Sequence, residues 1–111
     1  LSQETDYFVD THFIEHCVKP FVLINTARGR HVELSALLAG LENGKIEGAC
    51  LDVLELEKTS FESIQGEGSA VFQRLIQRDD VVLSPHIAGW THESYLKLSS
   101  FLAQKILNAF K

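Results

Sequence analysis

Three segments of this chain carry side chains that could hold an anion, polarise a carbonyl and pass a proton. They are Asn25-Thr26-Ala27-Arg28-Gly29, Leu51-Asp52-Val53-Leu54-Glu55-Leu56-Glu57 and Pro85-His86-Ile87-Ala88-Gly89-Trp90-Thr91-His92-Glu93. Each follows a short apolar run and delivers a charged or titratable group just beyond it. Runs that stop so abruptly resemble the carboxyl ends of parallel strands in an open α/β sheet, the edge at which ligands bind. An Arg, a Glu and a His on one such edge suit chemistry in which a cation fixes a carboxylate and an imidazole relays a proton.

Taken singly, each residue has an ordinary explanation. Arg28 could be a solvated loop residue or half of a surface ion pair. His86 could be a structural histidine at a strand end, its backbone constrained by Pro85. Glu57 could face solvent as readily as Glu55 or Glu62. Asp52 differs, because a carboxylate inside an apolar strand needs donors to offset its desolvation. A cofactor amide would be one source of such a donor. What lifts the group above its members is position at the ends of successive strands.

The elements that must place these residues are strongly patterned. Phe21–Ile24, Ala49–Val53 and Val81–Ser84 are short, mostly apolar runs, the pattern of strands buried on both faces. Leu34, Leu37, Leu38 and Leu41 fall at i, i+3, i+4 and i+7, one helical stripe that Gly44 closes. Strand, helix and parallel strand within about 30 residues make a βαβ unit. Thr91 is placed to cap a long final helix whose buried stripe is expected to be Tyr95, Leu98, Leu102 and Ile106. Before the first strand, Tyr7, Phe8, Ile14 and Val18 suggest one or two short helices. Residues 59–70 read as a Ser- and Gly-containing loop, followed by a short helix over Phe72–Ile76.

Composition narrows the class. The 111 residues, 45% hydrophobic and 23% charged, suit one soluble domain or part of one. A formal net charge of −5, with no basic run longer than two residues, gives no signal for nucleic acid or anionic lipid. No stretch reaches about 18 apolar residues and no signal peptide or lipidation motif is present, so a cytoplasmic location is expected and no membrane partner. Cys17 and Cys50 lack metal-ligand spacing and sit among apolar residues, the pattern of buried free thiols, with no metal expected. The chain has no Met and opens Leu-Ser-Gln-Glu-Thr, so it is expected not to start where its gene starts.

At the residues quoted above the chain resembles the D-isomer-specific 2-hydroxyacid dehydrogenases, and the resemblance runs from Leu1 to about Lys111. Asn25–Gly29 is similar to that family's catalytic-arginine segment, which Val32-Glu33 and Leu41-Glu42-Asn43-Gly44-Lys45-Ile46 continue. Gly48–Val53 resembles the strand whose Asp meets the nicotinamide end of the cofactor, and Ser84–Gly89 the segment with the catalytic His. The resemblance implies an α/β fold, the C-terminal half of a Rossmann-type doubly wound parallel sheet, spanning residues 1–111. It implies Arg28, Glu57 and His86 as catalytic residues. It further implies NAD or NADP, with NAD favoured, held by Thr26, Ala27, Arg28, Asp52, His86 and Gly89. The substrate would be a small 2-oxo or 2-hydroxy acid, and the full-length protein a homodimer.

Two departures bear on this. Lys58 follows Glu57 where the family usually has Pro, so the turn that carries the carboxylate differs. No Gly-x-Gly-x-x-Gly fingerprint occurs in the 111 residues, nor a substrate domain, so the isolated chain is expected to be inactive. A second reading, a non-enzymatic NAD(H)-sensing relative of the corepressor type, can share the same three residues.

Overall fold

The three apolar runs pair side by side as a parallel sheet. In the computed structural model, which describes residues 2–55 and 67–110, the order is α1 (Thr11–His16), β1 (Phe21–Asn25), a single 3-10 turn (Gly29–His31) and α2 (Leu34–Glu42). Then come β2 (Ile46–Leu51), α3 (Glu67–Ile76), β3 (Val81–Leu83) and α4 (His92–Ala109). The sheet order is β1-β2-β3, every neighbour parallel. Asn25 is in register with Leu51, and Leu51 with Leu83, so all three strands end on one line.

Local chemistry sets the helix ends. Asp10 caps α1, its carboxylate accepting from the Phe13 N–H at 2.8 Å. The leucine stripe of α2 is buried as expected, and Gly44, at φ 77°, supplies the left-handed residue that ends the helix and turns the chain into β2. Thr91 caps α4 as expected, its hydroxyl accepting from the Ser94 N–H at 3.0 Å.

The core lies on one face of the sheet. Leu37, wholly buried, packs with Ile14, Val32, Leu34, Leu38, Leu41, Ile46, Ala49, Leu51 and Leu75, which joins α1, α2, α3 and β2 into one cluster. Arg78 ties the α3–β3 turn together through paired hydrogen bonds to Asp80 of 2.7 and 2.8 Å. That pairing holds the Asp80 carboxyl below the usual carboxylate range.

Several expectations are corrected. The sheet is covered on one face only: Val22, Ile24 and Val82, facing away from α2, are exposed, Ile24 to 67%. A continuous apolar strand pattern specifies two apolar faces, but a cover must come from other residues. Likewise Tyr95, Leu98, Leu102 and Ile106 form a stripe on α4 but are exposed, since periodicity marks an apolar side without supplying its partner. β2 begins at Ile46 and stops at Leu51, which leaves Asp52 and Val53 beyond its end. α3 starts at Glu67, ahead of the expected Phe72, because Val71, Phe72 and Leu75 pack on the core in spite of the Ser and Gly nearby. Tyr7 and Phe8 precede α1 in turns, and Val18 follows it, exposed. The two cysteines are free, as expected, but half-buried.

Leu37→Ala is expected to lower unfolding free energy by about 2–5 kcal/mol, because no neighbour can fill the space left at the centre of α2. A urea titration followed by circular dichroism checks it.

Candidate active site

The common end line of β1, β2 and β3 puts the three motifs on one edge. Arg28 lies three residues past Asn25, Asp52 one residue past Leu51, and His86 three residues past Leu83.

The Arg28 turn is folded by Asn25. This amide is 6% exposed; its Oδ1 accepts from the Ala27 N–H at 3.1 Å and its Nδ2 donates to the Arg28 carbonyl at 3.0 Å. Arg28 itself is exposed on extended backbone, and its guanidinium donates to the Ala27 carbonyl at 2.6 Å. Among the described residues no carboxylate pairs with it; the ion pairs there are Arg30–Asp6, Arg74–Glu42 and Arg78–Asp80. Thr26 and Ala27 are exposed in the same turn. Gly29 is buried against the Leu54 backbone, where a Cβ would come within 1.8 Å of the Leu54 oxygen. The turn that bears Arg28 therefore abuts the segment that leads to Glu57, and only glycine fits there.

Asp52 finds its donors within the chain. Oδ1 accepts from the Ser84 hydroxyl at 2.5 Å and the Ile87 N–H at 2.9 Å, and Oδ2 from the Ala88 N–H at 2.9 Å. Its own carbonyl accepts from the His86 N–H at 2.9 Å, and its N–H donates to the Asn25 carbonyl at 2.9 Å. The carboxylate is 5% exposed. Foremost the Ser84 hydroxyl holds its pKa below the usual carboxylate range against the opposing effect of burial. The Ala88 and Ile87 amides and the nearby His86 ring act in the same direction.

His86 is held at φ 56°, in the left-handed region that few non-glycine residues adopt. Its N–H is shared between the Asp52 and Ser84 carbonyls, the latter at 3.0 Å. Its side chain is exposed at the edge. Gly89 is exposed as well, and a Cβ there would meet nothing within 4 Å. Glu57 lies outside the described residues. So does Glu62, whereas Glu55 is committed to structure. The Glu55 Oε1 accepts from the Tyr7 hydroxyl at 2.5 Å, and its Oε2 from the Leu34 N–H at the start of α2 at 3.3 Å. The Glu55 carboxylate accordingly pushes the Tyr7 phenol above its ordinary pKa.

Of the expected site residues, the structure joins Asp52 and His86 directly and places Arg28 on the same edge, linked to them through Asn25. Asn25 and Ser84 were not singled out in sequence. The available signal was a polar residue closing an apolar run in Asn25, and a Ser directly before Pro85.

The fold and edge agree with what the chain is similar to. Residues 1–88 match the family model of the D-isomer specific 2-hydroxyacid dehydrogenase, NAD binding domain. The chain belongs to that family. It is 31% identical to a glyoxylate reductase of Korarchaeum cryptofilum over 111 residues, all of this chain and 30% of that protein. The crystal structure of D-lactate dehydrogenase with NAD+ from Lactobacillus jensenii aligns with a TM-score of 0.71 at 29% identity, over 85% of this chain and 29% of that one. A D-isomer specific 2-hydroxyacid dehydrogenase from Xanthobacter autotrophicus, in complex with NADPH and MES, aligns with a TM-score of 0.63 at 32% identity, over 79% of this chain and 32% of that one. The chain thus spans about a third or less of the length of these relatives. Among the described residues no helix is long and apolar enough to cross a membrane, and no group of His, Cys, Asp and Glu could hold a metal ion.

Gly29→Ala is expected to destabilise the protein by at least about 2 kcal/mol, since the methyl group meets backbone that cannot swing aside. The shift in thermal midpoint measures it, and an unchanged midpoint would mean that the two segments are not in contact.

Proposed function

We propose that the full-length protein containing this chain interconverts small 2-oxo and 2-hydroxy acids with a nicotinamide cofactor. The observation that carries this reading is the shared end line of the strands, which sets an exposed Arg28 and an exposed His86 on one edge of an NAD-binding domain. The bound dinucleotide would supply the hydride. The residues fit its nicotinamide end: Thr26 and Ala27 offer an exposed turn, and the space beside Gly89 is open to Cβ distance and beyond. The remaining acceptor capacity of the Asp52 carboxylate suits the carboxamide N–H.

Arg28 would clamp the substrate carboxylate and polarise the carbonyl oxygen, a task for which the planar guanidinium fork suits better than an ammonium. His86 would donate a proton to the oxygen as it becomes alkoxide, and accept it in the reverse direction. Glu57 is assigned by sequence resemblance to the second ring nitrogen of His86, where a carboxylate favours the protonated ring.

The chain alone is expected to bind the dinucleotide weakly and to turn nothing over. These 111 residues contain no Gly-rich phosphate fingerprint, and Val22, Ile24 and Val82 on one face of the sheet are exposed. A homodimer is the proposed state of the full-length protein, and its side-chain specificity would reside mainly outside these residues.

The test is oxidation of NADH, and of NADPH in parallel, by the full-length protein with glyoxylate, hydroxypyruvate, pyruvate and larger 2-oxo acids. Arg28→Ala is expected to lower kcat/KM by roughly 100-fold or more. His86→Gln is expected to abolish most turnover while NADH affinity changes little. Wild-type rates in either variant would remove that residue from the mechanism, and NADH binding without turnover of any acid would overturn the enzymatic reading.

A further inference from the structure

Among the described residues, two polar side chains are buried, Asn25 and Asp52, and they are neighbours. Each closes or follows a core strand, and the backbone joins them: the Asp52 N–H donates to the Asn25 carbonyl at 2.9 Å. Neither side chain points its hydrogen bonds at the other. Each spends them on the turn beyond its own end of the sheet.

Both sets of bonds hold the backbone of a turn. Asn25 takes the Ala27 N–H and gives to the Arg28 carbonyl, so the backbone from Ala27 through Arg28 is bracketed by one buried amide. Asp52 takes three consecutive N–H groups, His86 on its carbonyl and Ile87 and Ala88 on its carboxylate, and adds the Ser84 hydroxyl. Three successive amides converging on one residue require the backbone between them to curl, and His86 at φ 56° is the residue that does so. An L-residue keeps that conformation only where its surroundings over-determine it. Burial strengthens the constraint, because a shifted turn would leave a buried acceptor unpaired.

We propose that Asn25 and Asp52 form one positioning unit, in which a continuous hydrogen-bonded path from the Arg28 turn to the His86 turn fixes the two working side chains relative to each other. This rests on the reading of Arg28 and His86 given above, and it gives Asp52 a role separate from any contact with the carboxamide. A carboxylate is needed at Asp52 because donors arrive on both oxygens, whereas an Asn there has one acceptor oxygen and turns an N–H₂ toward an N–H. At position 25 an amide is needed because the turn presents one donor and one acceptor; an Asp could answer only the donor.

The variants are Asp52→Asn, Asn25→Asp and the milder Ser84→Ala, in the full-length protein. In steady-state assays with the best 2-oxo acid, Asp52→Asn is expected to lower kcat by about 10–100-fold, the usual penalty for losing a group that orients a working one. Ser84→Ala, which leaves the Asp52 carboxylate in place for the cofactor, is expected to lose a smaller factor in kcat, with NADH affinity by fluorescence titration shifting by less than about threefold. Asn25→Asp is expected to raise KM for the 2-oxo acid, through Arg28, more than it alters NADH affinity. If Ser84→Ala, which keeps the Asp52 carboxylate, weakens NADH as much as it lowers kcat, this cluster acts on the cofactor and the positioning role is overturned.

Amide hydrogen exchange separates this inference from the catalytic reading, because it needs no turnover. In Asp52→Asn the amides of residues 86–88 are expected to exchange at least about tenfold faster, while those of β2 keep wild-type protection. Unchanged exchange at 86–88 would overturn the proposal even in an active enzyme. Faster exchange there, in a protein that reduces no 2-oxo acid, would uphold the hydrogen-bonded hold of Asp52 on the 86–88 turn and sink the dehydrogenase assignment instead.

Discussion

Three parallel strands that end on one line are the constraint on which everything else in this chain depends. The Asn25–Leu51–Leu83 register fixes the height of the three following turns, so residues 28, 52 and 86, which lie far apart in sequence, arrive at one edge. A slip of one residue in β2 would move Asp52 away from the amides of the β3–α4 turn and send the leucine and alanine side chains of the core face to the other side of the sheet. Core packing and site assembly are therefore enforced by the same pairing: Ala49 and Leu51 point into the cluster around Leu37, and that choice of face also sets Asp52 beneath His86.

The energetic character changes sharply across that line. Below it the interactions are apolar and cumulative, from Ile46, Leu37 and Leu75. Above it they are a few directional bonds to buried polar groups, each with high stakes because water is not at hand to replace a lost partner. Turns held in this way suit the proposed site, in which Arg28 and His86 would meet one small anionic molecule. The guanidinium and imidazole are exposed at the tip while the backbone beneath them is held.

Much of the sheet and half of the edge were legible in the sequence. The apolar runs at 21–24 and 81–84, the leucine stripe of α2 and the Thr91 cap all act locally, and local patterns report them. The placement of Arg28 and His86 after strand ends was legible for the same reason. Burial of α4 was not, because Tyr95, Leu98, Leu102 and Ile106 declare an apolar stripe without saying what meets it. The bare face of Val22, Ile24 and Val82 is the same lesson in the sheet. The donors to Asp52 were also out of reach, since they come from Ser84, Ile87 and Ala88, more than thirty residues away, and exist only once the β2–β3 register is known. Asn25 was hidden in plain view inside the Arg28 motif, its side chain facing inward to fold the turn rather than outward to do chemistry.

The most direct test of the account is a crystal structure of the full-length protein with NADH and a non-reactive 2-oxo acid analogue such as oxamate. The account predicts a guanidinium nitrogen of Arg28 and a ring nitrogen of His86 both within hydrogen-bonding reach, about 2.6–3.2 Å, of the bound analogue, with the residue 84–88 turn still closed on Asp52. An analogue seated elsewhere, or one that meets only one of the two side chains with the other turned to solvent, would contradict the claim that the common strand edge is the active site.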